Sequence, residues 1–452
     1  MSGNEKLDLK HNNELIDRIN SENYIKTITD LADEKEIVTS EDVMTRTLHK
    51  LISGGTRIDS SFYQKLIQHK LLKPIDNSLK MPNGINTDSL VAECMKILRE
   101  DRIFSRMFVA YGDLPMKMMR NVHFETPISL KMSIIKEAMP RLFTHSVKAS
   151  LLAVYIGLQE GLLHKDIYKL ASAAMFHDIS ELHINPEFQN PKHKMTDEDW
   201  SQIYAHPVVS YLILKEFPAY NPEISQAVID HHEKLDGSGY PRGKTFSEID
   251  RNAQIVAVAE TIAALIDKGY AHDEIDAKLK MSQGQYNNKY IYYILSVLKE
   301  SSGSRDLTRQ QYTLQKIDTK ISIVGSIIKN WFSLVAKLNE QQKSQMLVNT
   351  INVRIDYLQM QLIGGGIDIE ELEQVYILLG NNTEEWLHDI NFIIDESMFQ
   401  LHQTISEAKR NWPEYNIPHK PRSLGAFLSL WMEETENNVK LEMEKITISK
   451  LL

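Results

Sequence analysis

The chain has 452 residues, 42% of them hydrophobic and 25% charged, which is the balance of an ordinary globular protein and excludes a disordered, fibrous or disulfide-scaffold chain. Its length suits about two to four domains. The net charge of −10 argues against a basic platform for a nucleic-acid polymer, although a local cation can still attract a small anion.

There is one cysteine, Cys94, so neither an intrachain disulfide nor a Cys-rich zinc site can form. Sixteen histidines remain as candidate metal ligands. Residues 1–20 are polar and lack an apolar core, so no signal peptide is expected. The most apolar stretch, 321–338, is broken by Lys329, Asn330 and Lys337, whereas a membrane span needs about 20 mostly apolar residues. No membrane span and a cytoplasmic location are therefore expected.

Residues 1–35 read as a polar helix. From Glu36 to Asp76 the pattern shortens, and Gly54-Gly55 marks a turn between two short strands. Helical spacing over FYQKLIQHKLLKPID stops before Pro74. Together these segments predict a small α/β module. Residues 73–90 are rich in Pro, Asn, Gly and Ser and suit a linker. Helices resume near Leu90 and run, divided by Pro/Gly/Asn loops, to about Lys268. Beyond Asn287 the pattern is again helical. Leu387, Ile390, Ile394, Met398, Leu401 and Ile405 form a stripe at three- and four-residue spacing, which reads as the core face of a bundle. Gly364-Gly365-Gly366 separates two helices and lacks the lysine of a phosphate loop. No repeat of fixed period is found.

Chemistry gathers in the centre: His145, His177-Asp178, His206, His231-His232 and Glu260. A His-Asp dipeptide alone carries no information, because 177–178, 272–273 and 388–389 all have one. The set matters more, since imidazoles and carboxylates suit iron, manganese or zinc. Adjacent residues on a helix point about 100° apart, so His231 and His232 can share a site only at a helix end or against a cluster. The pair runs into EKLDGSGYPRG, where Gly237 and Gly239 allow a tight backbone and Pro241 fixes its exit. The apolar run Ala171–Phe176 leads directly into His177-Asp178, and polar groups buried there without partners would be costly. From spacing alone, a metal site and a set of separately satisfied histidines remain equal alternatives.

Five blocks then occur in order: HSVKASLLAVYIGL, AAMFHDISELHI, MTDEDWSQIYAHPVVSYLIL, ISQAVIDHHEKLDGSGYPRG and AQIVAVAETIAAL. Over about Met132 to Lys268 they resemble the HD-GYP domain, the branch of the HD phosphohydrolase superfamily linked to cyclic di-GMP hydrolysis. The segment LISGGTRIDSSFYQKLIQHKLLKPID is also similar to segments found ahead of such domains. The resemblance implies that His145, His177, Asp178 and Glu260 hold a first metal, with Glu260 standing where the family usually has Asp. Asp178 would bridge to a second, completed by His206, His231 and His232. It implies two divalent ions, iron or manganese, that activate a water for in-line attack on a phosphodiester. Asp236, Gly237, Gly239, Tyr240 and Pro241 would form the ligand mouth or a partner surface, and Lys268 would be a phosphate contact.

The chain departs from the pattern in several places. Ser180 and Glu181 replace a glycine and a lysine, and the carboxylate would repel a phosphate unless it pointed away or was bridged by a cation. Arg141 stands where some relatives carry a further Glu ligand, and Ala263 replaces an aspartate. The first expectation is therefore a cyclic di-GMP phosphodiesterase yielding linear pGpG and onward GMP. The alternatives are a catalytically degenerate receptor or scaffold, with a GGDEF-type cyclase as one implied partner, or an HD phosphohydrolase acting on another phosphoester. His164, His183 and His193 are expected outside the site. The expected architecture is mostly α: a small N-terminal α/β module over 1–76, a linker and helical connector over 77–131, an all-helical HD-GYP-like domain over 132–287, and a C-terminal helical bundle over 288–452 whose long helices allow a homodimer.

Overall fold

The computed structural model describes residues 20–189, 193, 196–270, 272–282, 284–301, 314–343, 345–364, 366–369, 384–412 and 423–451. Two compact units separate, Met1–His272 with Gly284–Ser302 and Asp273–Gln283 with Gly303–Leu452. The mostly α architecture expected from the sequence is found in both.

The first unit opens with α1 (Glu22–Glu34), whose first turn is capped by the Ser21 side chain. Short strands β1 (Val38–Thr39), β2 (Val43–Met44), β3 (Lys50–Ile52) and β4 (Leu79–Lys80) follow, with helix α2 (Tyr63–Ile67) between the last two. β2 and β3 pair antiparallel, and so do β1 and β4. The β2–β3 connection turns through Leu48 at φ 61°. The Gly54-Gly55 turn instead leads out of β3 to Arg57, which bridges Val38. The stretch expected as a linker is partly core. Ile75, Asp76, Ser78 and Leu79 are buried, because β4 completes a sheet and the turn before it packs on the helices behind.

Asp76 is the centre of that contact. It accepts from the Tyr24 hydroxyl and pairs with Lys131 Nζ at 2.6 Å, with both charged side chains almost fully buried. Lys131 Nζ also lies 3.2 Å from His183 Nε2 and over the Tyr24 ring. A buried charge is tolerated only when it is paired and hydrogen-bonded, and this one is both.

The helical part comprises α3 (Thr87–Glu100), α4 (Arg102–Phe108), α5 (Leu114–Met119), α6 (Thr126–Ala138), α7 (Pro140–Gln159), α8 (His164–Phe176), α9 (Asp197–Tyr204), α10 (His206–Leu214), α11 (Pro222–Ile229) and α12 (Arg251–Asp267). Proline opens α7 and α11, and lies second in α10, where its missing N–H costs nothing. Asn221 and Asp250 cap α11 and α12 through their side chains. The core is α7 packed against α8 and α12. Its facing residues, Leu151, Val154, Ala173 and Ala259 among them, are fully buried. Small alanines on α8 and α12 let the backbones approach, which gives the site a rigid floor.

The helix α13 (His272–Met281) contributes mainly to the second unit. The helix α14 (Asn288–Ser301) packs on α4 and α7 in the first. The second unit continues with α15 (Leu314–Val335), α16 (Glu340–Lys343), α17 (Met346–Gly364), α18 (Glu384–Asn411) and α19 (Leu424–Leu451). Its core joins Ile321, Ile328, Trp331, Leu347, Ile355, Met398, Leu401 and Trp431. Ile390, Ile394, Met398, Leu401 and Ile405 of the predicted stripe are buried there, while the surroundings of Leu387 lie outside the described residues. Gly365 of the triple glycine likewise lies outside them. Among the described residues no helix is long and apolar enough to cross a membrane.

Candidate metal centre

Three helices of the first unit end, or begin, on a histidine. α8 stops at Phe176 and delivers His177 and Asp178 into a short 3-10 turn, Ile179–His183. α9 stops at Tyr204, and after the single residue Ala205 His206 opens α10. α11 stops at Ile229, and His231 and His232 follow Asp230. The last carbonyls of a helix have no partner further along it. Each of these histidines uses one. Nδ1 of His177 lies 2.7 Å from Ala174 O, that of His206 2.7 Å from Ile203 O, and that of His231 2.6 Å from Val228 O. A carbonyl can only accept, so each Nδ1 carries the proton and each neutral ring keeps a lone pair on Nε2.

Those lone pairs converge. Nε2 of His206 faces Nε2 of His231 at 3.2 Å. Asp178 lies between the rings, with Oδ2 3.0 Å from His177 Nε2 and Oδ1 3.2 Å from His206 Nε2 and 3.6 Å from His231 Nε2. His177 Nε2 and Asp178 Oδ1 are buried without a well-directed hydrogen bond. Two groups could each hold an ion: Asp178, His206, His231 and His232, and His145, His177 and Asp178, with ligand atoms within 4.8 Å of one another in each. Asp178 belongs to both groups. A donor set of imidazole nitrogens and one carboxylate fits iron, manganese or zinc.

The electrostatics of the metal-free site centre on Asp178. Burial alone would raise Asp178, but His177, His206 and His231 hold it well below the ordinary carboxylate range. Burial alone would lower His177 and His206, yet Asp178 outweighs it and raises both. His231 and His232 are lowered, by burial and by the neighbouring imidazoles, which keeps them neutral as ligation requires.

Of the remaining residues, Glu260 is not brought into either group. It is half-buried and accepts from the Thr261 hydroxyl at 3.2 Å, while its charge still acts on His177 and Tyr240. Lys268 is exposed at the end of α12. Arg141 is exposed and Ala263 buried. His164 is exposed, His193 bonds Asp199 at 3.0 Å, and His183 belongs to the Lys131 cluster.

The 236–245 loop closes over His232. Tyr240 stacks on that ring, with centroids 4.6 Å apart and planes 24° from parallel, and its N–H donates to His232 O at 3.1 Å. Gly237 has φ 81°, a conformation that glycine adopts without strain. Gly239 serves a different need. A Cβ there would meet Lys234 N at 2.3 Å, Glu233 Cα at 2.4 Å and His232 O at 2.5 Å. Asp236 is exposed and accepts from Ser238 N–H at 2.9 Å. Pro241 follows a cis peptide bond. The loop is anchored from the residues flanking the histidine pair. Glu233 accepts the Arg242 and Lys244 N–H groups at 2.7 and 2.9 Å, and buried Asp230 takes the Arg242 guanidinium and, at 2.8 Å, Lys244 Nζ. These two carboxylates escaped the sequence reading, although each sits beside the His-His pair.

Ser180 and Glu181 also acquire definite places. Ser180 Oγ donates to His206 O at 2.8 Å and its N–H to Ser210 Oγ at 3.2 Å, so the glycine-to-serine change ties the turn to the start of α10. Glu181 is half-buried. Burial and the Asp178 charge raise it to about 7, while His206, His177 and His145 pull the other way, so its carboxylate lies within electrostatic reach of the cluster.

The family model described as HD domain matches residues 129–290. A cyclic di-GMP phosphodiesterase, PdeB, of Borreliella burgdorferi is 27% identical over 218 residues, 46% of this chain and 57% of that one. A 3'3'-cGAMP-specific phosphodiesterase of Vibrio cholerae is 29% identical over 132 residues, 29% of this chain and 28% of its own. The cyclic di-GMP phosphodiesterase response regulator RpfG of Xanthomonas campestris is 30% identical over 119 residues, 26% of this chain and 30% of its own. The matches span between 28% and 57% of the length of these relatives. Residues 129–290 thus match the HD domain, and the relatives similar to this segment are named as cyclic-dinucleotide phosphodiesterases.

Proposed function

We propose that this chain is a metal-dependent phosphodiesterase of the HD-GYP type that opens cyclic di-GMP to linear pGpG, and onward to GMP. The observation that carries the reading is the convergence of the His177, His206 and His231 lone pairs on one shared carboxylate, Asp178. His206, His231 and His232 with Asp178 would hold one divalent ion, and His145 and His177 with Asp178 the other, iron or manganese in each case. Glu260 lies outside both groups and would join only by reorienting its longer side chain. Two such ions would supply an acidified water and charge stabilisation of the phosphodiester oxygens.

The protein's own groups do the rest. The carbonyl ties fix each imidazole in the tautomer that presents Nε2. Asp178 keeps its negative charge at neutral pH and balances the cations. Glu181, raised to about 7, is partly protonated at neutral pH, which limits its repulsion of a phosphate. Tyr240, held against His232, walls one side of the ligand mouth, and Asp236, Gly237, Gly239 and Pro241 shape it. Lys268 remains a candidate phosphate contact from the rim.

A receptor reading is favoured by one observation. Glu181, where the HD-GYP pattern that the chain resembles has lysine, puts an acid rather than a base within electrostatic reach of the cluster. The deciding experiment incubates manganese- or iron-loaded protein anaerobically with cyclic di-GMP and chromatographs the nucleotides. Linear product from the wild type and none from Asp178→Ala supports the enzyme. Intact substrate with metal bound would overturn it and favour a receptor or another phosphoester, 3'3'-cGAMP being the next to test.

A further inference from the structure

His145 is unlike the other histidines of the site. It lies inside α7, not at a helix end, so the carbonyls one turn back are already engaged by the helix. Its Nδ1 is instead held by a side chain from another element: Asp267 Oδ2, the last residue of α12, at 3.0 Å. A carboxylate accepts, so Nδ1 again carries the proton and Nε2 is left to face His177 and Asp178. The other oxygen, Oδ1, accepts from Lys148 Nζ at 2.7 Å. Lys148 stands three residues after His145 on the same face of α7. Asp267 is thereby gripped at both oxygens by α7, and its orientation is determined by two partners.

We propose that Asp267, braced by Lys148, is the positioning residue of the His145 subsite. It sets the tautomer and the direction of His145, and the ion held by His145, His177 and Asp178 depends on it. This rests on the metal-dependent reading above and deepens it. The other group has three imidazoles and needs no such help. His145, Lys148 and Asp267 are 13%, 16% and 29% exposed, so this subsite lies at the rim, where an imidazole without a fixed partner would rotate. Carboxylate–histidine–metal arrangements of this kind typically change metal affinity ten- to a hundredfold when the carboxylate is lost.

The test uses full-length protein stripped of metal and titrated with Mn²⁺ by equilibrium dialysis, for wild type, Asp267→Ala, Asp267→Glu and Lys148→Met. The expected result is two ions on the wild type. In Asp267→Ala one stays tight and the other weakens roughly ten- to a hundredfold, with partial rescue in Asp267→Glu and a smaller loss in Lys148→Met. Imidazole ¹⁵N spectra of the metal-free protein supply a second readout. The wild type should show His145 protonated at Nδ1, and Asp267→Ala a mixture of tautomers. Two equally tight ions and an unchanged tautomer in Asp267→Ala would overturn the inference while leaving the enzyme reading intact. Loss of both ions together with a lowered metal-free unfolding midpoint would also overturn it, because Asp267 would then be a structural latch. If even the wild type bound no Mn²⁺, the metal dependence of His145 and the enzyme reading would both fall, whatever the spectra showed.

Discussion

Nε2 of His206 and Nε2 of His231 face each other at 3.2 Å, while each Nδ1 is tied to a helix-end carbonyl. Two lone pairs at that distance repel unless a cation or a proton sits between them. A bound cation would relieve that repulsion and stabilise the folded state.

Chelation should therefore destabilise the fold. At metal concentrations of 100 to 1,000 times Kd, binding to the native state alone contributes about 3–4 kcal/mol. Thermal unfolding with Mn²⁺ and then with EDTA should show a large drop for the wild type and a much smaller one for His231→Ala. An equal drop in both would place the stabilising ion elsewhere.

Glu181 predicts a pH dependence in the metal-free protein. Its native value is about 7 against an ordinary 4.5, so the folded state holds this proton more tightly than the unfolded chain. The stability linked to that proton is complete below pH 4.5 and is lost as pH rises through about 7. Glu181→Gln removes this loss, and at pH 8 it should stabilise by about 1–3 kcal/mol. Urea midpoints measured from pH 5 to 8 would show the wild type falling relative to the variant. Parallel curves would mean that Glu181 points to water.

Gly239 is required by contact rather than by an unusual φ. The nearest atoms to an added Cβ are backbone, at 2.3 to 2.5 Å, and cannot swing aside. Gly239→Ala should cost about 1–3 kcal/mol. By displacing Tyr240 from His232 it should also lower turnover roughly ten- to a hundredfold. Gly237→Ala strains only its own φ, so a comparison of the two by turnover and thermal midpoint separates crowding from conformation.

The Lys131–Asp76 pair ties the N-terminal module to the helices that carry the site. Lys131→Met leaves Asp76 charged and buried, and should destabilise by about 3–5 kcal/mol. Adding Asp76→Leu removes the orphaned charge and should recover much of the loss, leaving the Tyr24 hydroxyl as the remaining cost. Denaturant unfolding of the single and double variants measures both. A double variant no better than the single would show that the pair does more than neutralise itself.

Much of this molecule is legible in residue order. Apolar periodicity predicts the helices, Pro and Asn mark their starts, and the apolar run before His177 places that residue at the end of a buried helix. The convergence of His231 and His232 follows from a helix ending just before them, since inside a helix they would diverge. These are local facts, set by neighbours within a few residues.

What the sequence could not supply are the partners that arrive from far along the chain. Asp267 meets His145 across 122 positions, and Asp76 meets Lys131 across a stretch that reads as a linker. The direction of Glu181 depends on a single 3-10 turn, and the anchoring of Tyr240 on Asp230 and Glu233 gripping a loop beyond it. Sequence by itself determined which residues could bind a cation and that helices would carry them, because ligand chemistry and helix periodicity are properties of short segments. Only the tertiary structure decided which nitrogen each ring presents and which carboxylate holds it there. Those choices are made by hydrogen bonds between elements that only folding brings together.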